Sequence, residues 1–222
     1  MEYVNNFAKH LNKVITHKKY VSYYCSEFGI PVQGLLHDLS KFSPIEFFES
    51  VKYYQGDKSP IDACKKANGW SMAWMHHKGR NPHHYEFWMD NFDHGGMPLI
   101  MPPKYAIELI CDYLGAGRAY MGNKFTYTAE FEWWLTKKAN GLAMHPMMIE
   151  FVDAVLGTLA SMEIQYKNPE YKITNNDVAF VYSCYLDLLK KYLPESTIRN
   201  NKFWKKEVEA LNKAIQKYSK KS

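Results

Sequence analysis

Several common signals are missing from this 222-residue chain. Met1-Glu2-Tyr3-Val4-Asn5-Asn6 has neither the basic start nor the apolar run of a signal peptide. No uncharged apolar stretch reaches the ~18 residues that a membrane-spanning helix needs. Cysteine is sparse: Cys25, Cys64, Cys111 and Cys184 lie far apart without a CxxC pair, which argues against a disulfide framework and predicts reduced core thiols in a cytoplasmic protein. No alternating strand pair, hairpin signal or internal repeat is present, so the chain reads as all-α. Charge of one sign is also missing from most of the chain. Residues 187–222 hold 10 Lys/Arg against 4 Asp/Glu, and this segment alone accounts for the net charge of +5. Such a segment reads first as a solvated helix face, with nucleic acid a lesser candidate partner.

What is present is a series of helical patterns with clear punctuation. Phe7, Leu11, Val14, Ile15, Val21 and Tyr24 recur at helical spacing from residue 3 to about 28, and Gly29 suits the stop. Pro31 fits the first turn of a second helix, expected to carry the pair His37-Asp38 among Leu35, Leu36, Leu39 and Phe42, whose apolar character predicts burial. Ser43-Pro44-Ile45-Glu46 is a capping box that opens another helix, Gln55–Lys58 is a turn, and Ser59-Pro60-Ile61-Asp62 starts the next one. Pro102-Pro103 opens a helix that places Asp112 near its end, before Gly115-Ala116-Gly117-Arg118. Helices are further predicted from Thr126 to a stop at Asn140-Gly141, from Pro146 through Met162, from the cap Asn175-Asn176-Asp177 to about Tyr192, and over 198–218. With 46% hydrophobic residues the chain can bury a substantial core. We expect a metal-binding core over 1–125 and C-terminal helices packed on it over 126–222, as one continuous domain.

The chemistry lies in histidines and carboxylates. Residues 70–98 hold five of the nine histidines (His76, His77, His83, His84 and His94) among Trp70, Trp74, Tyr85, Phe87, Trp88 and Phe92. Earlier come His17 and the adjacent His37-Asp38, and later Asp112. Neighbouring side chains such as His37 and Asp38 meet only if both reach toward one point, and a divalent ion is the natural one. Each residue alone has an ordinary explanation as a core histidine or helix cap, but a single metal site accounts for all of them together. His10, His94 and His145 are read as structural.

The order His17, His37-Asp38, histidine cluster, Asp112 resembles the HD-domain superfamily of metal-dependent phosphohydrolases. The stretch His37-Asp38-Leu39-Ser40-Lys41 is similar to the HDxxK form of its HD-GYP branch, although no Gly-Tyr-Pro follows. Trp74 to Trp88, Met101–Tyr105 and Asp112–Arg118 look closest to an uncharacterised HD-like family of bacteria and their phages. The resemblance implies an HD-like helical bundle holding one or two divalent ions (Mn, Fe, Co, Ni or Zn). Their ligands would be His17, His37, Asp38 and Asp112, with His76, His77, His83 and His84 available for a second ion. It implies a hydrolase of phosphomonoesters or phosphodiesters, with a nucleotide as the expected small-molecule partner and metal-activated water as the nucleophile. Asp38, Lys41 and Arg118 would be catalytic; Lys41, Arg80 and Arg118 would face the phosphoryl oxygens, and Trp74 and Tyr85 would contact the substrate. Two rival expectations are an HD-type di-iron oxygenase and a non-catalytic nucleotide- or partner-binding protein.

Overall fold

The computed structural model describes residues 2–56, 58–166 and 171–220, so Asp57 of the expected turn lies outside the described residues. Eleven α-helices occupy most of the described chain: α1 (Glu2–Glu27), α2 (Pro31–Leu36), α3 (Pro44–Lys52), α4 (Pro60–Asn68), α5 (Met72–Lys78), α6 (Pro103–Met121), α7 (Tyr127–Ala139), α8 (Pro146–Tyr166), α9 (Asn175–Tyr192), α10 (Glu195–Asn200) and α11 (Lys202–Ser219). The fold is an all-α bundle. Its only strands among the described residues are β1 (Met89–Asp90) and β2 (Met97–Pro98), an antiparallel pair that no alternating pattern announced. Left-handed residues Asn91, Gly95 and Gly96 turn the chain between them. His94 is exposed in that turn.

Local sequence sets the helix starts. Ser43 caps α3 by accepting from the Glu46 amide, and Thr174 with Asp177 forms a complete capping box on α9, one residue before the expected cap. Two expected boundaries shift. Helix α2 stops at Leu36, before the His-Asp pair, whereas α6 runs on through the glycines to Met121. Those glycines serve packing. A Cβ on Gly115 would stand 2.4 Å from Val21 Cγ2 and 2.9 Å from the Val21 amide nitrogen, so α1 lies directly on α6 there. Gly34 likewise admits α2 against Ser22 and Cys25 of α1.

One buried cluster runs from Val21 and Tyr24 on α1 through Ile107, Ile110 and Leu114 on α6 to Phe151 on α8, Tyr185 on α9 and Leu211 on α11. Each fully buried side chain of this size contributes about 1.5–3 kcal/mol. The N-terminal and C-terminal parts therefore share their apolar interior. Cys25, Cys64 and Cys111 are free and buried. Among the described residues, no helix is long and apolar enough to cross a membrane. α1 and α6 thus form a closely packed pair, with α2 and α3 against it and α5 packed on α3, and the polar cluster lies among these helices.

Candidate metal centre

Against expectation, His37 and Asp38 lie in a turn, not on a helix. His37 is extended at the end of α2 and Asp38 adopts a left-handed conformation with φ 53° and ψ 27°. Only two non-glycine residues among those described have positive φ, and aspartate tolerates that region better than most. The reversal brings two consecutive side chains to the same point. Lys18 holds the turn, donating to the carbonyls of Leu35 and His37 at 2.7 Å each, and Ser22 donates to the Gly34 carbonyl. The flanking Leu35, Leu36, Leu39 and Phe42 are not buried as expected but more than two-fifths exposed. Asp38 itself is only 2% exposed.

Around Asp38 two sets of ligand atoms converge. His17 from α1 and Asp112 from α6 join His37 and Asp38. Five of the six distances among His17 Nε2, His37 Nε2, Asp38 Oδ2 and Asp112 Oδ1 lie between 3.1 and 3.4 Å. A tetrahedral ion with bonds of ~2.0–2.1 Å spaces its ligands about 3.3 Å apart, so this cage has the size such an ion requires. Hydrogen bonding alone does not account for it. A ring nitrogen supports one ordinary hydrogen bond, yet His17 Nε2 has three such neighbours. On the other side, Asp38 Oδ1 lies 3.3 Å from His77 Nε2 and 3.4 Å from His83 Nε2, and His84 Nε2 is 2.9 Å from His77 Nε2. Both groups fit the donor set of a divalent metal, with Asp38 common to the two.

Asp38 is also the group in the cluster least served by ordinary hydrogen bonds. Among the described residues no hydrogen bond of acceptable geometry reaches either of its oxygens or His83 Nε2, although Lys41 Nζ stands 2.5 Å from Oδ2. A buried carboxylate in that state is costly unless ions surround it.

Carboxylates behind the imidazoles fix their orientation. Glu108 Oε1 lies 3.0 Å from His37 Nδ1 and 3.2 Å from His83 Nδ1, one histidine from each set, while Gln33 donates to its Oε2. Glu46 Oε2 lies 2.7 Å from His77 Nδ1. Neither glutamate was anticipated from sequence. Glu108 stands four residues before Asp112 on one face of α6, a spacing that marks a shared site. The Glu46 carboxylate, read as half of a capping box, is instead drawn to the histidines.

Charge follows this geometry. Burial disfavours ionisation of Asp38, but His37, Lys41 and His77 outweigh it and hold the carboxyl well below the usual range. The same contest, against His17 and His37, depresses Asp112, and His37 with His83 brings Glu108 to about 2. Burial, followed by the neighbouring His83 and His77, keeps His84 neutral. The carboxylates therefore stay ionised, as metal ligands must, but they also hold His37 well above the usual imidazole range, Asp38, Asp112 and Glu108 outweighing its burial, so a metal bound there would displace a proton from it.

The cluster opens on a cavity of about 210 Å³ whose walls include His17, His77, His84, Asp112, Lys41, Trp74 and Tyr120. His10, read as structural, is a wall residue too, its pKa lowered by burial and Lys41 to about 4. Four expected site residues lie elsewhere. His76 turns its Nδ1 to Glu46 Oε1 and stays outside both sets. Arg80 contacts the His76 carbonyl near the surface. Arg118 sits among the rings of Tyr20, Tyr24 and Phe125, because α6 continues as a helix and turns it away from the face of Asp112, Ala116 and Tyr120. Tyr85 packs against the core beneath Lys137. Trp74 and Lys41 both line the cavity.

Neither the curated proteins nor the solved structures searched contain a match to this chain. Residues 6–158, which include both ligand sets and more than half of the chain, match the family of unknown function DUF5662, and the chain belongs to that family.

Proposed function

We propose that the protein is an HD-type metal-dependent phosphohydrolase acting on a phosphomonoester or phosphodiester of the nucleotide class. The observation that carries this reading is Asp38, each of whose oxygens faces its own imidazole-rich set, with the Lys41 ammonium beside it on the same cavity wall. His17, His37, Asp38 and Asp112 would hold one ion, and His77, His83 and His84 with Asp38 a second. Bound divalent ions supply Lewis acidity toward phosphoryl oxygens and a water of lowered pKa.

The chain's own residues account for the rest. Lys41 is fixed by Asp38, keeps 27% of its side chain exposed, and is kept charged: burial opposes this, but Asp38 and Asp112 outweigh it. It therefore presents a preorganised positive charge to phosphoryl oxygens without having to reorganise during reaction. Lys13, on the same wall, is held by the Ala119 carbonyl at 2.8 Å and adds a second cation. Glu46 and Glu108 keep His77, His37 and His83 aimed inward. Trp74, edge-on to His84 with ring centroids 5.1 Å apart, supplies an apolar wall.

Phosphate release from a panel of nucleotides, with the protein loaded in turn with Mn, Fe, Co, Ni or Zn, tests the reading. Turnover by the parent is expected, and Lys41→Ala should keep its metal while losing about 10²-fold in kcat. A Lys41 variant as fast as the parent overturns the role given to that residue. The imidazole-rich second set also suits iron. Two irons per chain with oxygen consumption and no phosphate release would replace the hydrolase by a di-iron oxygenase. Tight nucleotide binding without turnover would indicate a binding protein.

A further inference from the structure

The metal cavity is small. Its 210 Å³ falls below the roughly 300–1,000 Å³ of sites that enclose a small-molecule ligand, so a phosphoryl group fits there and the rest of an ester must extend elsewhere. A second compartment of about 430 Å³ adjoins it and shares Ser59, Ala116 and Tyr120 as a common wall. Its walls include Glu130 of α7, only 4% exposed, and, one turn on along the same helix, Trp133, 46% exposed.

Resting on the phosphohydrolase reading, we infer that this second compartment receives the alcohol side of the ester, a nucleoside, and that Glu130 reads a paired donor and acceptor on its base. Among the described residues no hydrogen bond or ion pair reaches the Glu130 carboxylate, which is unusual for a buried acid and leaves its oxygens free for a ligand. The backbone makes room for it. A Cβ on Gly117 would stand 1.9 Å from Glu130 Oε2, so any side chain there would displace the carboxyl from the compartment. Burial, followed by the Asp112 charge, pushes the Glu130 pKa up to about 8, and at neutral pH the group is mostly a carboxylic acid. An acid in that form offers one O–H donor and one acceptor, which matches the amide-like or amidine-like edges of nucleobases. Trp133 supplies a ring face on which a base can stack, a contact typically worth about 1–3 kcal/mol.

Equilibrium binding to the Mn-loaded full chain tests this with inorganic phosphate and the four nucleoside 5′-monophosphates as probes. The parent should bind at least one nucleotide tenfold or more tightly than phosphate. Glu130→Leu should remove that advantage while its phosphate affinity stays within twofold, and Glu130→Gln, which keeps a donor and an acceptor, should retain most of it. Trp133→Ala, at a half-exposed position that leaves the core intact, should weaken nucleotide binding threefold or more. A purely structural role for Glu130 would shift phosphate and nucleotide together and overturn the inference. It is also overturned if Glu130→Leu and Trp133→Ala bind nucleotides like the parent, or if the parent prefers no nucleotide over phosphate. In those cases phosphate binding survives, and with it the phosphohydrolase reading. A parent that binds neither probe overturns both.

Discussion

The two ligand sets that meet at Asp38 are built on different supports. His17 and Asp112 project from the long helices α1 and α6, which press together through Gly115 against Val21, so their positions follow from the buried core. His77, His83 and His84 come from the seven-residue α5 and the irregular segment after it. They depend on side-chain hydrogen bonds: Glu46 to His77, Glu108 to His83, and Asn81, which donates to Ser40 and to the His77 carbonyl. Two of the first set's four ligands are placed by helix packing and the other two by a turn that Lys18 pins to α1, whereas in the second set only His77 sits on a helix, a short one, and His83 and His84 are held by hydrogen bonds alone. The first set should therefore bind its ion more tightly and exchange it more slowly.

The largest expected effect removes the group common to both. Asp38→Ala should take the chain from two ions to none by elemental analysis and abolish turnover, because it deletes one ligand from each set. Retention of one ion would show that the sets are independent. Next, the two sets should separate: His77→Ala should keep one ion per chain in the first set, whereas His17→Ala should lose the tighter ion. Equal loss in both variants, read by metal titration, would contradict the proposed ranking. Smaller effects should follow from the carboxylates behind the imidazoles. Glu108→Gln should weaken both ions and Glu46→Gln mainly the second, each by about 10- to 100-fold in affinity, measured by competition with a chelator of known strength.

Much of this arrangement was legible in the sequence. The helical stripe of α1, the Pro and Ser starts of α3 and α4, and the long α8 and α9 all rest on local periodicity and capping, which the chain expresses directly. Seven of the eight histidines and aspartates expected as ligands do converge, since residue chemistry alone nominates them. What the sequence hid depends on tertiary geometry. Leu35, Leu36, Leu39 and Phe42 read as a buried helical run, but α2 is only six residues long and the left-handed Asp38 turns the chain, leaving them exposed. Gly115 and Gly117 read as a helix stop because glycine usually weakens helices; here they admit Val21 and the Glu130 carboxyl instead. That continuation of α6 is what carries Arg118 away from the cavity. Glu46 and Glu108 escaped notice because an orienting carboxylate has no motif of its own, only a position behind a ligand.

The central claim is that two divalent ions sit on either side of one aspartate. The most direct measurement is a crystal structure of protein purified without chelator, with anomalous scattering recorded at the edge of whichever metal elemental analysis finds. Two anomalous peaks about 3.5–4 Å apart, one within bonding distance of His17, His37 and Asp112 and the other of His77, His83 and His84, with Asp38 touching both, are the predicted result. Density without a metal at Asp38, in protein exposed to saturating Mn and Zn, would contradict it.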